Sequence, residues 1–288
     1  MSQGKDITLT NLFSLQKLEG PLFQGQSWNL GFRALFGGQV LGQALTAAIQ
    51  TVDKLRHCHS FHSYFLLPGD VSKPVVYDVE NIRDGNSFSV RRIKAIQNER
   101  TIFYMTASFQ IEENGLEHQH AVPPSDIPLP DTLEPDIKKY EDNLHAIPKS
   151  LRDAIDYHRP IDIRTIPDEQ FHVDKLTPRR GMWLKANEVF NSSVALNQAA
   201  LAYASDYHLL TTSLKPHNVN PADKSLSLAS IDHAMWFHQP FHFDEWLLYT
   251  SESTFSGRGR GFIKGQFFNQ KGILVATTTQ EGLIRVKK

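Results

Sequence analysis

A serine, an aspartate and a histidine stand within four positions in "ASIDHAMWFH" (229–238), the residue types of a hydrolytic triad. Their spacing argues against that chemistry. In an extended strand successive side chains face opposite sides, so Ser230, Asp232, Ala234 and Trp236 share one face and Ile231, His233, Met235 and Phe237 the other. Asp232 and His233 then point apart. The context "LASIDH" also lacks the Gly-x-Ser-x-Gly elbow that usually presents a nucleophilic serine. Asp232 and His233 are read as strand residues with local partners, although His233 could lie near a site. A second acid, Asp206, lies in "VALNQAALAYASDYHLL" (194–210), where helical spacing aligns Leu196, Ala199, Ala200, Tyr203, Asp206 and Leu210 on one stripe. A carboxylate on such a stripe is either functional or a solvated residue at a frayed helix end. The pattern alone leaves both open.

Other clusters carry less. "HCHSFH" (57–62) offers His57, Cys58, His59 and His62, but zinc sites generally draw ligands from two separated clusters. No second cluster stands out, so neither a metal nor any other cofactor is expected. "HQH" (118–120) reads as a solvated loop, and Cys58 as a half-buried strand cysteine. "SGRGRGFIKG" (256–265) places Arg258, Arg260 and Lys264 on one face if extended, where they could meet phosphates, though solvated strand charges are the commoner case. "FGGQVLG" lacks the Gly-Lys-Ser/Thr ending of a phosphate loop. Its glycines read as allowing close packing at a helix start, with a backbone N–H free to face a ligand.

The elements that must position these residues fall into two similar halves. The chain of 288 residues is 40% hydrophobic and 21% charged, with a net charge of −1, an ordinary globular composition. That balance gives no bulk electrostatic reason to expect nucleic acid or an anionic membrane, and no run approaches the roughly 18 apolar residues of a membrane span. The N-terminus has no signal-peptide core, so a cytoplasmic setting is expected. A single cysteine rules out an internal disulfide, and the terminal "IRVKK" is not a Ser-Lys-Leu signal. Nine of the fifteen prolines fall between Pro123 and Pro178, marking 116–179 as a connector or wrapping segment, with a short helical piece around "SLRDAIDYH". It separates 1–115 from 180–288.

Each half opens with an apolar helix rich in small residues, "GGQVLGQALTAAIQ" (37–50) and "VALNQAALAYASDYHLL" (194–210), and continues with long alternating strands. Ile93-Lys94 match Ile263-Lys264, and Gln110 matches Gln280, at one constant offset, which points to duplication. "RDGNSF" supplies a hairpin turn. A helix apolar nearly all round must be buried. An antiparallel sheet wrapped around one helix in each half predicts an α+β fold, the double hotdog.

The segments "FGGQVLGQAL", "HSFHSYFLLPGD", "YDVENIRDGNSFSVRR", "IFYMTASFQ", "YASDYHLL", "IDHAMWFHQPF", "EWLLYTSEST" and "TTTQEGLIR" together resemble the acyl-CoA thioesterase II family, from about residue 20 to the end. The resemblance implies a double hotdog that hydrolyses fatty acyl-CoA, with a working site only in the second half. It places the catalytic aspartate on Asp206, the glutamine on Gln280, and the hydroxyl on Ser230, where threonine is usual. Serine keeps the hydroxyl and drops the methyl that stiffens χ1.

Such chemistry needs an activated water and a place for oxyanion charge. A carboxylate can deprotonate the water while a hydroxyl and a carboxamide hold both, and a backbone amide is expected to receive the oxyanion. The expected partner is the acyl-CoA substrate, with homodimeric or tetrameric assembly and neither nucleic acid nor a membrane span. Two rival readings are a hotdog hydratase or dehydratase using an acid with a histidine, and a non-catalytic acyl-CoA-binding protein. His208, two positions beyond Asp206, lies on another helix face.

Overall fold

The computed structural model describes residues 7–286 apart from 146, 148, 192, 222 and 224. The first half contains α1 (Leu9–Phe13), β1 (Gln16–Lys17), β2 (Leu22–Gly25), α2 (Gly37–Ile49), β3 (Arg56–Phe65), β4 (Val75–Asp84), β5 (Phe88–Gln97) and β6 (Arg100–Ile111). The connector contributes α3 (Asp136–Asp142), α4 (Lys149–Arg152) and β7 (Ile161–Thr165). The second half holds β8 (Arg179–Ala186), α5 (Val194–Ala204), β9 (Leu226–Ser230), β10 (Asp232–Phe237), β11 (Leu247–Gly257), β12 (Arg260–Asn269) and β13 (Leu274–Val286).

The fold is a double hotdog. The two expected sheets are joined edge to edge: β3 pairs antiparallel with β10, with His233 opposite Ser63, and one path of strands runs β1-β2-β4-β5-β6-β3-β10-β13-β12-β11-β8-β7. β9 lies off this path on β13. The sheet alternates as its sequence does. Phe103, Met105, Ala107 and Phe109 of β6 are buried, with more open residues between them. Inside it lie α2 and α5, packed antiparallel: a Cβ on Gly42 would stand 2.9 Å from the Ala199 carbonyl, and one on Gly38 would stand 2.2 Å from that of Tyr203. The small residues of both helices are what permit this approach. Leu41, Leu45 and Leu201 are fully buried there, each contributing about 2 kcal/mol of apolar burial.

The connector wraps the second half. β7 adds an edge strand to β8. Ala121, Ile127, Leu133 and Val173 pack on Trp183, Trp246, Leu248 and Phe268, a separate apolar cluster, and the Trp183 indole donates to the Pro128 carbonyl at 3.0 Å. Among the described residues no helix is long and apolar enough to cross a membrane.

Three expectations change. The helix written as 194–210 ends at Ala204, and the chain turns before a 3-10 segment over Leu210–His217. Arg258 does not share a strand face with Arg260 and Lys264: it sits in the β11–β12 turn with positive φ, and Arg260 is paired with Glu281 at 2.8 Å. Finally, Gln110 is not the counterpart of Gln280. Ile93 faces Met105 across β5–β6, whereas Ile263 faces Gln280 across β12–β13. The reason lies in the turns. β5 and β6 meet at Gln97 and Arg100, while the other hairpin closes with Phe268 opposite Leu274. The longer turn shifts everything beyond it, so a match at constant offset puts Gln110 on the wrong face. Gln110 lies beside inward-facing Phe109 and donates to Glu113 at 2.7 Å.

Candidate active site

Asp206 follows the C-terminal end of α5, and antiparallel packing brings it against the N-terminal end of α2. That end has no cap of its own, because Phe36 offers no side-chain hydrogen bond. The Asp206 carboxylate fills the role from the other half, its Oδ2 accepting from the Gly38 N–H at 3.0 Å. A carboxylate at a helix N-terminus is stabilised by free N–H groups and the helix dipole. Gly37 must be glycine for this contact, since a Cβ there would lie 2.7 Å from Oδ2 and 3.0 Å from the Phe65 ring. The backbone behind Asp206 is held as well: the Tyr249 hydroxyl donates to the Ser205 carbonyl at 3.0 Å, satisfying an acceptor that helix termination leaves open.

Ser230 and Gln280 converge on the same place. The Gln280 amide Nε2 donates to Ser230 Oγ at 2.7 Å, and Gln280 is fully buried on the inner face of β13. Strict alternation would have put Ser230 and His233 on opposite faces. They share the inner one because the strand is broken between β9 and β10. Ser230 pairs with Gly282 and Ala234 with Thr279, so four steps along one strand oppose three along the other. This is a one-residue bulge. Asp232 supports the break: Ile231 N–H donates to the Glu281 carbonyl, and Asp232 Oδ1 accepts the Glu281 N–H at 2.6 Å. Each letter of "SIDH" thus has its own task. His233 is fully buried, with Nδ1 2.9 Å from Gln280 Oε1 and Nε2 3.0 Å from Ser205 Oγ.

Electrostatics follow from this geometry. Burial pushes the Asp206 carboxyl from its ordinary value up to about 6, while the Gly38 amide, the Gln280 amide and the Ser230 hydroxyl pull it back down. The residue keeps part of its surface open, so a carboxylate of raised basicity stands beside neutral donors with room on one side. Burial pushes His233 down to about 4, leaving a neutral imidazole. His208 is also pushed down to about 4, chiefly by burial and then by the charge of Arg180. This arrangement can hold and deprotonate a water. Ser230 Oγ accepts from the Gln280 amide and its hydroxyl hydrogen-bonds the Asp206 carboxylate, and among the described residues no histidine pairs with it as in a Ser-His nucleophile.

The other candidates go elsewhere. Cys58 is buried and its thiol is pushed far upward by that burial. His59 meets Ser108 Oγ at 2.8 Å, and His62 packs edge-on against Trp236. Among the described residues no three His, Cys, Asp or Glu side chains form a group able to hold a metal.

A family model described as acyl-CoA thioesterase matches residues 149–283, and one described as acyl-CoA thioesterase N-terminal domain matches residues 25–110. Acyl-CoA thioesterase 2 of Haemophilus influenzae is 41% identical over 278 residues, 96% of each chain. The chain belongs to the acyl-CoA thioesterase II family. Among solved structures, acyl-CoA thioesterase II TesB2 of Mycobacterium marinum is similar with a TM-score of 0.81 at 35% identity, over 98% of this chain and 99% of that one. A hot-dog-fold protein of unknown function from Alicyclobacillus acidocaldarius gives 0.77 at 20% identity, over 97% and 98%, a likeness of fold alone.

In this acyl-CoA thioesterase II chain the three residues implied by resemblance come together, joined by Gly38, His233 and Ser205, of which the sequence placed only His233 near a site. Gly38 was legible as part of a close-packed helix start with a backbone N–H free to face a ligand, but that N–H is taken by Asp206 Oδ2. His233 was assigned to the wrong face because a bulge leaves no mark in the alternation of side chains. Ser205 was unremarkable within an apolar helix.

Proposed function

We propose that this acyl-CoA thioesterase II family member hydrolyses fatty acyl-CoA to free fatty acid and coenzyme A, with Asp206 as general base for the attacking water. The observation that carries this reading is the Asp206 carboxylate, half-buried and raised in basicity, beside Gly38, Gln280 and Ser230. The water oxygen attacks the thioester carbonyl carbon as its proton passes to Asp206. The tetrahedral oxyanion then collapses, the C–S bond breaks, and the proton goes to the departing thiolate. Ser230 and Gln280 orient water and carboxylate. In this reading residues 1–115 support the site and lend it the Gly38 amide, 116–179 wrap, and 180–288 carry the reacting groups. The expected form is a cytoplasmic homodimer or tetramer.

The hydratase reading needs a histidine free to exchange a proton with substrate. Both nitrogens of His233 are engaged, with Gln280 and Ser205, and Gln280 stands between it and Ser230. A thiol-release assay across short, medium and long acyl-CoAs, beside Asp206→Asn and an enoyl-CoA hydration control, tests the proposal. Thiol release lost in Asp206→Asn at unchanged substrate affinity supports it. Hydration without thiol release, or an Asp206→Asn variant keeping most of its turnover, overturns it.

A further inference from the structure

We infer that His233, set by Ser205, is a positioning residue that fixes which end of the Gln280 amide faces Asp206. The inference rests on the role just proposed for Asp206, and it starts from an ambiguity built into any carboxamide. The oxygen and nitrogen ends of Gln280 are nearly the same shape. Rotated by half a turn, the side chain would present Oε1 to the carboxylate, acceptor against acceptor, and the water-holding set would lose a donor. Something buried must discriminate between the two rotamers.

His233 can do so because it meets Gln280 on one nitrogen and Ser205 on the other, so its proton position and the amide rotamer are coupled. Its Nδ1 is 2.9 Å from Gln280 Oε1 and its Nε2 is 3.0 Å from Ser205 Oγ. The imidazole is buried and neutral, so one nitrogen donates and the other accepts. A hydroxyl donating to Nε2 leaves the proton on Nδ1, and Nδ1–H then demands an acceptor, the Gln280 oxygen. Gln280 Nε2 is thereby turned to Ser230 Oγ, 2.7 Å away, and toward the carboxylate. Ser205 Oγ also lies 2.8 Å from the Ala202 carbonyl. That carbonyl competes for the single Ser205 hydrogen; the orientation with Gln280 Oε1 on Nδ1 is the one that goes with the hydrogen directed to Nε2, and the Ser205→Ala variant tests that coupling. The imidazole plane is held by Phe61, stacked at 6.1 Å between ring centroids, and Ser63 Oγ donates to the His233 carbonyl at 2.7 Å. Ser205 immediately precedes Asp206, so the chain Ser205–His233–Gln280–Ser230 returns to the carboxylate from which it departed.

The test compares His233→Leu, of similar volume with no donor, and His233→Asn, which keeps an N–H near the Nδ1 position. Asp206→Asn serves as reference. The readouts are kcat, KM, the pH profile of kcat/KM and thermal stability. His233→Leu is expected to lower kcat by about tenfold or more, the loss of one oriented hydrogen bond, with KM changed by less than about threefold. The acid limb of its profile should move upward, because the carboxylate loses a donor that favours its charged form. That limb belongs to Asp206. The titratable groups facing it are Tyr203 and Tyr207 from its own segment and Tyr249 from β11, all pushed upward by burial, with His158 of the connector beyond Tyr207 at 3.4 Å. His233→Asn should recover most of kcat and the original limb. If His233→Leu fails to fold, Ser205→Ala provides the same reading by releasing the tautomer: reduced kcat and a raised acid limb at near-native stability support the inference. Turnover within twofold of wild type in the leucine variant, or equal losses in leucine and asparagine variants without movement of the limb, overturns it. An active Asp206→Asn would instead remove the assignment of the base itself.

Discussion

The two halves use one scaffold in opposite ways at the ends of their helices. In the second half the inner row reads Ile263, Gln280, His233, and in the first the corresponding row reads Ile93, Met105, Ser63. Beyond the C-terminal end of α5 stands a carboxylate with part of its surface open. Beyond the end of α2 stands Thr51, and there Arg91, 2% exposed, closes the structure. Its guanidinium donates to Thr51 Oγ1 and the Thr51 carbonyl at 2.9 Å each and to Asp84 Oδ1 at 2.8 Å. A cation at a helix C-terminus satisfies the open carbonyls and suits the dipole. The second half has Gly261 at the register position of Arg91, where a Cβ would lie 2.5 Å from Ser213 Oγ. One helix end is thus built for stability and the other for chemistry. Site residues of raised free energy are the common consequence of building for function.

That contrast is broken most directly at Asp206. Asp206→Asn should lower kcat by about 10²–10⁴-fold, the usual range for a lost general base, while making the protein more stable at neutral pH. The sign follows from the folded-state pKa of about 6 against an ordinary 3.8. The ionised carboxylate is disfavoured in the folded protein, so stability falls as pH rises from 3.8 through about 6. The variant's advantage, about 1–3 kcal/mol after allowance for the open surface, should therefore appear at pH 7 to 8 and vanish near pH 4 in denaturant titrations. In the wild type, kcat/KM should rise with pH through about 6.

The matching change in the first half should give the opposite pair of results. Arg91→Ala is expected to destabilise by about 2–4 kcal/mol, through unpaired Thr51 groups and a buried void, with turnover per folded molecule within about twofold of wild type. Its ion pair adds little to that figure, because Asp84 is more than half exposed. The smallest effect belongs to Gln110→Ala, which should leave both kcat and the unfolding midpoint nearly unchanged. A clear loss of turnover there would restore Gln110 as a working counterpart of Gln280.

What was legible in the sequence, and what was not, divides along physical lines. Alternation in β6 and β13 and the small residues of α2 and α5 state a sheet around buried helices, because side-chain period and burial are local properties. Asp206 was found on the right stripe although its helix stops two residues earlier, since the turn continues the same inward path. The errors at Gln110 and at Ser230 with His233 have a common origin. A longer turn or a single bulged residue changes which face every later side chain takes, and neither is written in the identity of any one residue. The contact of Gly38 with Asp206 depends on two helices meeting antiparallel, which only the assembled sheet determines.

The capping of α2 by Asp206 also has a mechanical side. The Gly38 N–H lowers the affinity of the carboxylate for a proton, and thermodynamic linkage makes the effect mutual. Protonating Asp206 must weaken its hold on the end of α2, and drawing α2 away must make Asp206 more basic. Separation of the two helix ends and uptake of a proton are therefore one equilibrium, and a substrate that wedges between them would adjust the base as it enters.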